Sequence, residues 1–241
     1  KRLSWRSATD LRELRITAGV LKQANGSALV EWGKNKVIAG VYGPREVFPK
    51  HLSYPHKAII NCKYAMAPFC GMEEHSRSGP NRRSVEISKV VKHVFEGVVM
   101  TEKFPQTAID ITMEVLQSDG GTRISAVAAA AVALADAGIP MKDIVCGAAA
   151  GKIEDMIIID LDKEEDNHGK SDMPVAVSLR TGEILLYQQD GLLTRDEFGE
   201  SLDKVFIAAA QVRKKQAQAI EAKYASVEAS GAQSSGMDGV K

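Results

Sequence analysis

At 241 residues the chain is long enough for one large domain or two small ones, and 44% apolar with 26% charged residues is the composition of a globular protein. Its 31 Lys and Arg balance 31 Asp and Glu, so overall charge excludes a globally basic nucleic-acid binder and any anion site must be local. No apolar run approaches the ~18 residues of a membrane helix. The opening KRLSWRSATD has no signal-peptide core, and Cys62, Cys70 and Cys146 are an odd set without CxxC spacing. A disulfide framework is therefore disfavoured, and the expectation is a reduced, cytoplasmic protein with no membrane partner.

Residues 1–10 are polar apart from Leu3 and Trp5 and read as an N-terminal arm. From Leu11, the apolar Leu14, Ile16 and Val20 alternate loosely with polar residues, as in a strand. Residues 27–32 (SALVEW) and 36–42 (KVIAGVY) pair as a hairpin across Gly33-Lys34-Asn35. Residues 43–55 contain Pro44, Pro49 and Pro55 and are expected to form an exposed loop, before a fourth strand at 58–66. Residues 70–81 are a loop on composition. Residues 83–100 then form a helix whose apolar positions 87, 90, 91, 94, 95, 98 and 99 share a face, with Asn81 as its N-cap. A long strand at 106–117 precedes an Ala-rich helix from Thr122, ended by Gly138-Ile139-Pro140. Strands follow at 143–150, 156–161, 175–179 and 183–188, then an amphipathic helix from about 194 to 225. Residues 226–241 lack apolar mass and read as a disordered tail. The alternation of strand groups and long helices predicts a single α+β domain over residues 11–225.

Three clusters carry possible chemistry. The first is Gly120-Gly121-Thr122-Arg123, a strand–glycine turn–helix start where backbone N–H groups lack internal partners and a hydroxyl and a guanidinium stand beside them. An ordinary strand-to-helix turn has the same string, so GGTR alone does not separate the two readings. The second is Arg82-Arg83 at a helix start, where the dipole favours negative charge. The pair is either a site waiting for an anion or a solvated pair costing tenths of a kcal/mol each. The third is the acidic stretch 160–172. There Asp162, Glu164 and Glu165 read as solvated surface, whereas a turn at Asn167-His168-Gly169 brings Asp166 and Asp172 together as an acid and its partner, or as oxygen ligands for a divalent cation. Arginines for phosphate with two aspartates suit phosphoryl chemistry on a polyanion. Arg45, Lys50 and His51 around Phe48 form a small patch for a nucleic-acid backbone. The histidines show no HxxxH-type spacing, which disfavours a His-based zinc site.

At this point a family is legible. LQSDGGTR resembles the LQADGGTR motif of the RNase PH family, as do RRSVEISKV before it and EDNHGKSDMPVAV after it. So do LKQANGSALVEWGKNKVIAGVYGPRE, YAMAPF, FPQTAIDI and ALADAGIPMKDIVCGAAAGK. The likeness spans about residues 10–225 and is strongest to the catalytic-type branch found in the archaeal exosome. It implies an RNase PH fold, ribosomal-protein-like βαβ units around mixed sheets. It also implies a hetero-hexameric ring with a non-catalytic RNase PH-like subunit and RNA-binding cap subunits. The implied reaction is phosphorolysis of single-stranded RNA from its 3′ end, with inorganic phosphate as co-substrate and nucleoside diphosphates released, reversible as tailing. By resemblance, Arg83, Gly121, Thr122 and Arg123 would hold the attacking phosphate, and Arg82, Lys50 and Arg45 would meet the RNA. Asp166 and Asp172 would handle the proton, with Mg²⁺ as a possible bridge; which aspartate does which stays open. Alternatives are a homohexameric RNase PH trimming tRNA ends and a structural ring subunit without activity. The chain departs from the family where LSWRSATDLR replaces a DGR-type motif, and where Lys50 and Gln106 stand in place of arginines. At position 50 a bidentate grip becomes a point charge.

Overall fold

A computed structural model describes residues 2, 5–71 and 81–234, with only the backbone described for 226–234. Most of the loop expected at 70–81 and the end of the expected tail thus lie outside the described residues.

The first half is a five-stranded sheet. Strands β1 (Leu14–Ala18), β2 (Gly26–Trp32) and β3 (Asn35–Glu46) form an antiparallel meander, with Trp32 opposite Asn35 at the hairpin. β3 runs on through Gly43 and Pro44 into the segment expected to be loop. Its ladder shifts register between Tyr42 and Arg45, where Pro44 has no N–H to offer. A 3-10 turn follows at Lys50–Leu52. β4 (Ile59–Met66), α1 (Arg82–Val98) and β5 (Thr107–Gln117) make a βαβ unit, with β4 parallel to β5 and β5 antiparallel to β3, giving the order β1-β2-β3-β5-β4. Asn81 caps α1 as expected, its Oδ1 accepting from the Ser84 N–H at 2.7 Å. The apolar stripe of α1, including Ile87, Val91, Val94, Phe95 and Val98, is buried, and the helix packs on β4.

α2 (Thr122–Asp136) is buried on every side except at Arg123 and Ala135. A helix apolar all round belongs in a core, and its alanines let it sit between two sheets, against β2, β3 and β5 on one side. On the other side lie β6 (Cys146–Ile153) and β8 (Ser171–Ser178) of a second sheet. That sheet also holds β7 (Met156–Ile159), β9 (Glu183–Tyr187) and β10 (Asp190–Gly191). It is antiparallel, in the order β10-β8-β6-β7 with β9 paired to β8. The mixed α/β architecture agrees with the α+β expectation. Among the described residues no helix is long and apolar enough to cross a membrane.

Two local expectations are corrected. The acidic stretch is not a turn between strands: residues Lys163–His168 form a short helix, α3, begun by a reciprocal capping box between Asp162 and Glu165. The Asp-x-x-Glu spacing and three acids in the first turn favour that start. Glu165 is completely buried and paired with Arg2, not solvated surface. The last helix, α4 (Arg195–Ser234), continues past residue 225, because the segment, though poor in apolar mass, contains no proline to break it.

Candidate active site

The parallel pairing of β4 with β5 puts the carboxyl ends of both strands on one edge, Met66 beside Val115. α2 opens just beyond the end of β5, and α1 lies on the return path from β4, so its first turn comes to the same edge. Helix starts beyond the carboxyl ends of parallel strands are where anions bind in α/β sheets. Gly120 and Gly121 are both left-handed, at φ +71° and +67°, which turns the chain from β5 into α2. A side chain at Gly120 would stand 2.7 Å from the Asp162 backbone, so the turn lies directly against the start of α3. No side chain caps α2, leaving its first N–H groups without a capping partner.

Two side chains hold this turn, Asn35 at the start of β3 and Arg12 just before β1. The Asn35 amide donates to the Gly120 carbonyl and accepts from the Asp119 N–H. Arg12 donates to the carbonyls of Asp119 and Gly120 while its Nε and Nη2 reach Asp160 Oδ1 at 3.0 and 2.6 Å. Asp160, itself left-handed at φ +59°, also accepts from Trp32 Nε1 at 3.0 Å. Arg2 and Arg6 extend the network: Arg2 Nε meets Glu165 at 2.8 Å, and both arginines donate to the Asp160 carbonyl. Arg2 and Arg6, in the segment read as an arm, thus join Asp160 to the helix that carries Asp166, and Arg12 joins Asp160 to the glycine turn. Sequence reasoning missed Arg2, Arg6, Arg12, Asn35 and Asp160, since no local spacing marks them. The Asp162-x-x-Glu165 capping box was readable.

Arg83, Arg123, Asp166 and Asp172 act on one another electrostatically. Arg123 is mostly buried, and its guanidinium pKa is lowered by burial and then by repulsion from Arg83, against attraction from Asp172. Its Nε is buried with no hydrogen-bond partner among the described residues. An unpaired buried donor beside a second arginine is an arrangement that an external anion completes. The Asp166 carboxyl is raised by burial, opposed by Arg83. Asp172 is pushed up to about 6, by burial first and then by the charge of Asp166. On β8, Asp172 faces Gly151 on one side and Asp190 on the other, and Asp190 adds a third negative charge to the pair.

Of the other candidates, Arg82 adjoins Arg83, whereas Lys50 and Arg45 lie on the segment that ends and follows β3. Arg82 is exposed in the first turn of α1. Lys50 is exposed at the start of its 3-10 turn, and Arg45 ion-pairs with Asp110 at the end of β3. Among the described residues no three His, Cys, Asp or Glu side chains form a metal-binding group. The two aspartates can still supply the one or two carboxylates that Mg²⁺ needs when substrate phosphates and water complete its shell.

The raised Asp172 pKa has a consequence for stability. In the folded chain the carboxyl keeps its proton to about 6, against 3.8 for the free group. Its contribution to stability is thus fully present below about pH 4 and lost as pH rises through about 6. Above that, a charged, largely buried carboxylate is a net cost. Asp172→Asn is expected to stabilise the metal- and phosphate-free fold at pH 8 by on the order of 2 kcal/mol, with the gain vanishing near pH 4. Thermal unfolding in chelator across that range checks it.

Residues 10–140 match domain 1 and residues 143–203 match domain 2 of the 3′ exoribonuclease family, RNase PH. The chain belongs to that family. The junction between the two RNase PH regions falls where the chain leaves α2 for β6. The Exosome complex component Rrp41 of Pyrococcus abyssi is 53% identical over 224 residues, covering 93% of this chain and 90% of that protein. The Thermoplasma acidophilum Rrp41 is 48% identical over 223 residues, covering 92% and 90%. Two solved structures share the RNase PH fold at 22% identity. Rice Rrp46 has a TM-score of 0.82 and covers 91% of this chain and 100% of that one. The Archaeoglobus fulgidus exosome with RNA bound to the active site has a TM-score of 0.77 and covers 89% and 92%.

Proposed function

We propose that this chain is the catalytic subunit of an exosome-type ring and degrades RNA from the 3′ end by transfer of the terminal nucleotide to inorganic phosphate. The observation that carries the reading is the meeting of Arg83, Arg123 and the uncapped start of α2 with two aspartates of raised pKa. The high identity to Rrp41 proteins over more than nine-tenths of the chain supports it.

In this mechanism Arg83 and Arg123, with the Thr122 hydroxyl and the N–H groups after Gly121, bind phosphate. Arg82 holds the RNA phosphate beside it, and Lys50 and Arg45 meet the backbone further from the 3′ end. Planar guanidinium forks hold together two phosphoryl groups that repel each other. An oxygen of the bound phosphate attacks the last phosphorus, the bond to the 3′ oxygen of the preceding nucleotide breaks, and a nucleoside diphosphate leaves. Asp166 gives its proton to that 3′ oxygen, with Asp172 as its partner. Burial and mutual repulsion keep a proton on the pair into the range where a general acid is needed. Mg²⁺ would be held by Asp172, joined by Asp166 once its proton is given up, and would supply charge neutralisation for the phosphoryl oxygens. The reaction is a phosphorolysis, not a hydrolysis, and excess diphosphate drives it backwards as tailing. The partners are single-stranded RNA, a non-catalytic RNase PH-like subunit and RNA-binding caps. Three free cysteines support a reduced, cytoplasmic setting.

Product analysis on poly(A), for the chain alone and with a ring partner, tests the reading. Diphosphates should appear only when phosphate is supplied. Release of monophosphates without phosphate overturns it, and a native mass of six identical, fully active chains favours the homohexameric alternative.

A further inference from the structure

One buried side chain joins the two helices that carry the phosphate arginines. Tyr64, on β4, is 2% exposed. Its backbone N–H donates to Ser88 Oγ at 2.9 Å, and Ser88 in turn donates to the Ser84 carbonyl one turn back along α1. Its phenolic hydroxyl donates to Thr122 Oγ1 in the first turn of α2 at 3.1 Å. Tyr64 is thus tied to the helix of Arg83 by its backbone and to the helix of Arg123 by its side chain.

We propose that Tyr64 is a positioning residue of the phosphate site: by donating to Thr122 Oγ1 it commits the Thr122 hydroxyl to donate to the attacking phosphate. The inference rests on the reading of Thr122 as a phosphate ligand given above. A threonine inside a helix can spend its hydroxyl proton on the carbonyl one turn earlier. Thr122 is the first residue of α2, so no earlier helical carbonyl exists, and among the described residues the hydroxyl has no acceptor of its own. A hydroxyl has one proton, and its oxygen here already accepts. Thr122 is 4% exposed, so bulk water is not a ready substitute. What remains is the anion drawn to the α2 start and the two guanidinium groups. The tyrosine stays a donor at neutral pH, because burial raises its pKa against the pull of Arg83 and Arg123. Without the tyrosine, the Thr122 hydroxyl is free to rotate away from the phosphate.

Tyr64→Phe removes one oxygen and keeps the ring in its core position, and Thr122→Val breaks the same bond from the other end. In the assembled ring with poly(A), Tyr64→Phe should raise KM for inorganic phosphate roughly 3- to 10-fold, the worth of one hydrogen bond, with kcat and RNA affinity nearly unchanged. Thr122→Val should raise it at least as much, and Tyr64→Phe should add nothing to Thr122→Val. An unchanged phosphate KM in Tyr64→Phe, or effects of the two substitutions that multiply, overturns the role of Tyr64. A loss confined to kcat or to thermal stability does the same. If the wild-type ring needs no phosphate, the underlying reading fails instead, and the two failures are told apart by that control.

Discussion

Asp166→Ala is expected to lower kcat for phosphate-dependent RNA degradation by about 10²- to 10⁴-fold, the range for loss of a positioned general acid. RNA should remain bound. The 3′ oxygen leaves as a poor leaving group unless a proton reaches it, and Asp166 is the carboxyl on α3 assigned to deliver it. α3 is held independently of that side chain, through its capping box and the Arg2–Glu165 pair. The substitution therefore removes the acid without dismantling its support. Among the described residues neither carboxylate hydrogen-bonds to the arginines proposed to grip the phosphate groups, so RNA affinity measured by filter binding or anisotropy should change little. An Asp166→Ala ring of normal rate would sink the mechanism, as would one that has lost RNA binding in proportion to activity.

The second large effect is expected at Arg123. Arg123→Met keeps the length of the side chain and removes a charge that burial and Arg83 already disfavour. With the loss of one preorganised donor set, the transition state should lose about 2.7–4 kcal/mol, or roughly 10²- to 10³-fold in kcat/KM for phosphate, by analogy with an oxyanion-hole donor. The fold should not suffer, and thermal stability in phosphate-free buffer should hold or rise. An unpaired buried Nε and a repelling Arg83 are liabilities to the empty protein. A lower melting temperature together with an unchanged phosphate dependence would show that Arg123 serves packing instead. Arg123→Lys should rescue only part of the loss, because a point charge replaces a planar fork.

What could be read in the residues followed how local the signal was. The cap at Asn81, the stripe of α1, the β2–β3 hairpin and the glycine turn into α2 depend on neighbours a few positions apart, and pattern reached them. The acidic helix α3 has a local signal in its Asp162-x-x-Glu165 box, but a run of acids has equally the composition of solvated surface. Glu165 is buried instead because Arg2 comes from 163 positions away to meet it. The prolines after Tyr42 predict loop, yet a strand tolerates Pro44 at a register shift near its end.

Alone, the sequence determined the family, the order of elements, and the residue types of the candidate site: glycine turn, arginine pair and aspartate pair. Those reside in short strings with local conformational preferences. Only the tertiary structure decided that these strings share one place, because the parallel β4–β5 pairing and the two sheets around α2 are long-range events. It alone supplied the groups that hold the site. Arg12 grips a carbonyl 107 positions away, and Tyr64 bonds a hydroxyl 58 positions away. Each is satisfied only after the chain closes a long loop, so no periodicity, cap or spacing announces it.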